Sequence, residues 1–194
     1  MMRLLSGSLK GRRLPPHDSW VRPTSAYRRH MIFNRLRHGE GFSTFADCRV
    51  IDVFAGTGAL GLEALSQGAA HVTLIEKDPR THKKLAIFLN DTLRDRPEST
   101  CVQLYKAAVP FLPPATQPVD LCFLDAPYHQ NLIPPALKAL AERGWLKQNT
   151  LCVAETNKHE KLALPPWVNV SETRQKGNTI VHFWRVDTVP PCKR

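Results

Sequence analysis

Asp125-Ala126-Pro127-Tyr128 directly follows the apolar run Leu121-Cys122-Phe123-Leu124. A carboxylate, a turn-forming proline and an aromatic ring therefore stand together where a buried strand ends. That set suits an exocyclic base amine, a poor nucleophile because its lone pair is delocalised into the ring. Acceptors aimed at its N–H groups hold it and favour a more reactive geometry. The Asp125 carboxylate and the backbone carbonyl of Ala126 supply such acceptors, and Tyr128 supplies a face on which a flipped or single-stranded base stacks. Orientation toward a methyl donor would contribute much of the rate. By itself the tetrapeptide is equally a plain turn with a chance Asp and Tyr.

A second candidate lies upstream, in Asp52-Val53-Phe54-Ala55-Gly56-Thr57-Gly58-Ala59-Leu60-Gly61, where Gly56, Gly58 and Gly61 match the spacing G-x-G-x-x-G. Glycines at a strand-to-helix turn let a ligand approach the backbone closely, and the helix start offers free N–H groups to an anionic group. A nicotinamide dinucleotide and S-adenosylmethionine both fit such a loop. Asp52 favours the second. An acid at a buried strand end needs partners, and the loop N–H groups together with a cationic ligand amine would provide them. Glu76 closes the next apolar run, 18 residues after Gly58, where a carboxylate would accept both ribose hydroxyls of either ligand. The two acids are also readable as caps of strand ends. The donor-binding candidates are Asp52, Phe54, Ala55, Gly56, Thr57, Gly58, Ala59, Glu76 and Lys77.

The elements around these loops follow from apolar rhythm. Arg49–Phe54, His71–Glu76, Cys101–Tyr105, Val119–Tyr128 (which ends in a polar loop) and Thr150–Glu155 are runs of the kind that parallel strands buried on both faces show. Leu60–Gln67 reads as a helix ending at Gly68. Asp78 caps another with Pro79 at its first position, running to about Asn90. Residues 135–143 form a third. Thr24 or Ser25 caps Ala26–Arg37, whose apolar stripe is Ile32, Phe33 and Leu36. The stretch before it, rich in Arg, Gly and Pro, is expected to lack long regular structure. The last two strand-like runs flank Lys176-Gly177-Asn178 and read as a hairpin. Strands alternating with helices and then a hairpin predict an α/β, Rossmann-like doubly wound fold: a mostly parallel seven-stranded sheet with a C-terminal antiparallel hairpin. In such a sheet the first and fourth strands are neighbours, so the Asp125 loop is expected to face the glycine loop.

Charge is unevenly placed along the 194 residues. Residues 1–37 hold nine Lys/Arg against the single acid Asp18, a net +8, while the other 157 residues hold 18 basic and 16 acidic groups, a net +2. Clustered Lys and Arg are the footprint of a polyanion partner, though a solvated tail or acidic lipid would also suit. Division into a basic extension and helix (1–37) and a Rossmann-like domain (38–194) follows. The five cysteines are scattered, without a C-x-x-C pair, which argues against a disulfide framework or a structural zinc and fits a reducing cytoplasm. No histidine spacing suggests a metal site. No secretory signal or spanning segment is visible.

Together the motifs resemble one family, the bacterial 16S rRNA guanine-N2 methyltransferases of the RsmD type. Gly7-to-Leu14, Arg22-Pro23-Thr24 with Phe33-Asn34, the long glycine segment, Leu74-to-Asp78 and Leu124-to-Tyr128 occur in family order and spacing. The resemblance implies a class I fold, S-adenosylmethionine as donor, and assembled small ribosomal subunits as substrate, acted on by a monomer. It implies that Gly56 and Gly58 line the methionine end of the donor and Glu76 holds the ribose. Asp125, Ala126, Pro127 and Tyr128 become the catalytic loop, and Lys10, Arg12, Arg13, Arg22, Arg28 and Arg29 become RNA contacts. There are departures. Ala126 replaces the first proline of D-P-P-Y, which loosens the loop. Ala26, Tyr27 and His30 stand where the family carries Asp, Arg and Glu. Lys106-Ala107-Ala108 lacks the family's acid, and Lys176-Gly177 replaces Tyr-Gly. They leave open a vestigial, non-catalytic RNA-binding assembly factor, or a methyltransferase with another nucleic-acid acceptor.

Overall fold

The structure is a computed structural model and describes residues 2–16, 25–39, 42 and 44–189. Arg22, Pro23, Thr24 and Cys192 lie outside the described residues. The chain divides into two compact units, Met1–Lys106 and Ala107–Arg194.

In the first unit three parallel strands, β1 (Arg49–Asp52), β2 (His71–Ile75) and β3 (Val102–Tyr105), lie in the order β3-β2-β1. Val50, Ile51, Val72 and Leu74 are buried, as strands covered on both faces require. Between them run α2 (Ala59–Ser66) and α3 (Pro79–Leu93). Asp78 caps α3 as expected, its Oδ1 accepting from Thr81 N at 2.7 Å, but the helix continues past Asn90 to Leu93, and a 3₁₀ turn, Pro97–Cys101, follows. The first helix, α1 (Ala26–Gly39), buries Ile32, Phe33 and Leu36 as its stripe predicts. Ser25 Oγ accepts from Arg28 N at its start.

Residues 2–14 of the basic segment are folded more tightly than their composition suggests. Arg3 and Arg13 pair across a small antiparallel turn, with Leu4, Leu9 and Leu14 buried beneath it. The turn is fastened to α2 by an acid inside that otherwise apolar helix. Glu63 is fully buried and accepts from Leu5 N at 2.8 Å and Ser6 N at 2.9 Å. Ser66 carries the next two bonds, its carbonyl accepting from Ser8 N at 2.7 Å and its Oγ from Leu9 N at 2.9 Å.

The second unit carries β4 (Leu121–Leu124) parallel to β5 (Leu151–Asn157), with α4 (Ile133–Glu142) between them. The hairpin β6 (Val168–Lys176) and β7 (Thr179–Val186) completes the order β4-β5-β7-β6, with β7 antiparallel to both of its neighbours. It turns at Gly177 with φ +61°. The fully buried Cys122, Phe123, Leu140, Cys152, Phe183 and Trp184 form this unit's core.

Candidate functional site

The glycine loop is built almost wholly from backbone. Ala55 N donates to Ile75 O at 2.9 Å, and Gly58 N donates to Ala55 O at 2.7 Å. Gly58 heads α2 in the left-handed region, φ +78°. A Cβ there would meet Leu62 Cδ1 at 2.7 Å and Leu85 Cδ1 at 3.1 Å, so both conformation and space call for glycine. Gly61 lets α2 approach the sheet, since a Cβ would run into Leu74 and come within 3.2 Å of Asp52 Cβ and Val72 Cγ1. Asp52, 2% exposed, receives Gly61 N on Oδ2 at 3.0 Å. Thr57 and Ala59 are buried, Phe54 is half-buried and Lys77 is exposed.

Glu76 ties the loop to the following turn. Its Oε2 accepts from Gly56 N at 2.8 Å and its Oε1 from Asp78 N at 2.7 Å. A carboxylate offers about four acceptor positions, so two backbone bonds leave room for a pair of ribose hydroxyls. The residues fit the donor that the loop implies: a left-handed glycine turn, a buried acid at the strand end, and a half-exposed acid at the next.

In the second unit the loop after β4 is held by side chains from distant strands. Asp125 is half-buried, Ala126 is buried and Pro127 is exposed. Tyr128 reaches β5 and β7: its hydroxyl donates to Glu155 Oε1 at 2.6 Å and meets Thr179 Oγ1 at 3.1 Å. Burial first, then the Glu155 bond, push the Tyr128 phenol well above its ordinary range, with Thr179 opposing. The phenol is therefore neutral, and its ring is fixed from the oxygen end. Beyond it, His129 takes a left-handed conformation, φ +62°. Glu160 braces that turn, accepting from His129 N on Oε1 and from Asn157 N on Oε2, both at 2.6 Å. The loop is thus restrained by side chains from downstream.

Glu155, Thr179 and Glu160 were not among the sequence candidates. Glu155 had a signal: it is an acid closing an apolar strand run, as Glu76 is. Thr179 and Glu160 had none, since only the hairpin register and the β5 turn bring them to the loop.

The basic candidates divide. Lys10, Arg12 and Arg13 are exposed on the N-terminal turn, and Arg28 is half-buried on α1. Arg29, 1% exposed, instead pairs internally: Nη1 lies 3.5 Å from Glu63 Oε2 and donates to Arg3 O at 3.0 Å. A phosphate contact by Arg29 is excluded by that burial. Arg22 lies outside the described residues. Among the described residues, no helix is long and apolar enough to cross a membrane.

Comparison with known proteins agrees with this geometry. Residues 2–185 match the model of the family described as Conserved hypothetical protein 95. Ribosomal RNA small subunit methyltransferase D of Haemophilus influenzae is 37% identical over 185 residues, covering 94% of this chain and 91% of that protein. The solved structure of yhhF of Escherichia coli superposes with a TM-score of 0.80 at 28% identity, over 96% of this chain and 98% of that one. An RNA methyltransferase of Salinibacter ruber, solved with S-adenosyl-L-homocysteine, shares the fold with a TM-score of 0.61 at 16% identity, over 88% and 97% of the two chains. The chain has the class I methyltransferase fold and belongs to the Conserved hypothetical protein 95 family, that of the RsmD-type small-subunit rRNA methyltransferases.

Proposed function

We propose that this protein transfers a methyl group from S-adenosylmethionine to the exocyclic N2 of one guanine in 16S rRNA, acting as a cytoplasmic monomer on the small ribosomal subunit or its assembly intermediate. The observation that carries the reading is the left-handed glycine loop fastened by Glu76, in a chain whose relatives are small-subunit rRNA methyltransferases. When bound, the donor supplies an electrophilic sulfonium methyl. Asp52 and the glycine loop hold its methionine end, and Glu76 its ribose. Asp125 and the Ala126 carbonyl accept the two N–H bonds of the guanine amine. Tyr128, its hydroxyl anchored to Glu155 and Thr179, offers the base a fixed face. The donor would supply its methyl carbon to the amine nitrogen that these residues hold, with the sulfide as leaving group. One N–H proton then leaves the nitrogen, with Asp125 as the nearest acceptor in this scheme. Lys10, Arg12, Arg13 and Arg28 hold RNA phosphates, with Arg22 added from the sequence alone.

The test uses labelled S-adenosylmethionine and small subunits from a strain lacking the gene. Label is expected in N2-methylguanosine, and Asp125→Ala is expected to cut transfer by about 100-fold or more while donor binding persists. Label in another nucleoside would replace the acceptor, and absence of transfer and of donor binding would favour a non-catalytic RNA-binding factor.

A further inference from the structure

The sequence places nearly all the basic excess before residue 38, yet the second unit gathers cations of its own around the catalytic loop. The hairpin register sets Thr179 opposite Asn157 on one side and opposite Lys176 on the other. Strands in a sheet lie about 4.8 Å apart, so β5, β7 and β6 present these three positions as one short row. Thr179 is also the residue that the Tyr128 hydroxyl touches. The middle of the row therefore meets Tyr128 of that loop.

Lys158 follows directly, its N–H donating to Asn178 O at 2.9 Å, which pins the turn after β5 to the hairpin tip. Glu160 pins the same turn to the catalytic loop through His129 N. Lys161 lines a cleft shared with Ala126, Pro127 and Glu155. Lys158, His159, Lys161 and Lys176 are all exposed, as is His129. Glu155 and Glu160 line the same cleft, Glu155 bonded to Tyr128 and Glu160 to two backbone N–H groups. Three lysines thus project from a turn and a hairpin tip whose backbones are fixed relative to the base-holding loop.

We infer that Lys158, Lys161 and Lys176 form a second phosphate-binding rim, which grips the RNA backbone next to the target nucleotide. This rests on the methyltransferase reading for the identity of the RNA. Lysine ammonium groups act as point charges and lack the bidentate fork of arginine, so the rim positions the strand and does not read its bases. A splayed-out base needs its flanking phosphates restrained, and a rim on the same unit as Tyr128 supplies that restraint.

The experiment compares wild type with the triple variant Lys158→Ala, Lys161→Ala, Lys176→Ala and with the double variant Arg12→Ala, Arg13→Ala. Each is titrated with small subunits from the deletion strain across a salt series, and donor affinity is measured alongside. Removing three phosphate contacts is expected to reduce the slope of log affinity against log salt by about 2, raise KM for subunits and leave donor affinity unchanged. An unchanged slope in the triple variant overturns the rim, and places the contacts at the N-terminal turn if the double variant loses slope. Wild-type binding that ignores salt overturns it as well. Salt-dependent subunit binding by wild type without methyl transfer would overturn the methyltransferase reading while leaving the rim standing.

Discussion

In the glycine loop the atoms that hold the shape are mostly backbone atoms and two nearby acids: Ala55 and Gly58 N–H groups, Gly56 N on Glu76, and Gly61 N on Asp52. In the loop after β4, the proposed catalytic loop, the holding atoms are side chains from 27 to 51 residues away along the chain, with Tyr128 bound to Glu155 and to Thr179, and His129 N bound to Glu160 31 residues on. A backbone-built site depends on which residues can adopt its conformation, so single glycines matter most. A site held by side chains depends on pairs of partners, and its failures are partial and chemical. The two loops should therefore break differently.

The glycine loop should break hardest. Gly58→Ala forces a side chain into a left-handed position, a strain of about 1–2 kcal/mol. Contact with Leu62 and Leu85 adds overpacking of order 1 kcal/mol. Urea denaturation should show the sum, and donor titration should show affinity falling with it. If stability drops while donor affinity stays at the wild-type value, the loop is structural and the donor is held elsewhere.

The catalytic loop should fail more gently. Glu155→Gln keeps the shape but replaces a charged acceptor, and a hydrogen bond to a charged group contributes about 1.5–3 kcal/mol, part of which the amide retains. Donor binding should survive. kcat should fall by about 10-fold or more, since misplaced orientation is costly to rate, while Tyr128→Phe should lose the anchor and keep the stacking face. In the proposed arrangement, ultraviolet titration of Glu155→Gln should show Tyr128 ionising at lower pH than in wild type, because the carboxylate is one cause of its upward displacement. An unmoved Tyr128 titration with full activity would remove Glu155 from the site.

The same contrast explains what could be read from residues alone. Gly56, Gly58, Gly61, Asp52 and Glu76 lie within one strand-turn-helix and the strand after it, where spacing in sequence is spacing in space. Asp78 as a cap and the hairpin at Gly177 are local in the same way. Glu63 was illegible in its role because its partners, Leu5 N, Ser6 N and Arg29, arrive from segments far upstream. Arg29 was misassigned for a related reason: composition counts it with the surface cations, and only tertiary packing pairs it with a buried acid. Breaking such a pair from one side costs about 3–5 kcal/mol, because it leaves the other charge buried and uncompensated.

The smallest expected effect concerns acid, and it again separates brace from backbone. His182 lies on β7, three residues beyond Thr179, with Nε2 2.8 Å from Thr156 Oγ1 and its ring centroid 6.0 Å from that of Trp184. Its cross-strand partners are Ala154 and Thr173, which carry no charge. Burial lowers its pKa from 6.5. A group whose folded value is depressed contributes stability that is present above the unfolded value and lost as pH falls through the folded one. Wild type should lose stability on acidification below about the ordinary histidine range, and His182→Gln should lose less over the same interval, at most one proton's worth of slope. His71, lowered by burial and then by Arg49, remains in both proteins and sets a common background. Urea midpoints measured along a pH series separate the two curves. If they coincide, His182 does not carry the acid sensitivity of the strands that anchor Tyr128.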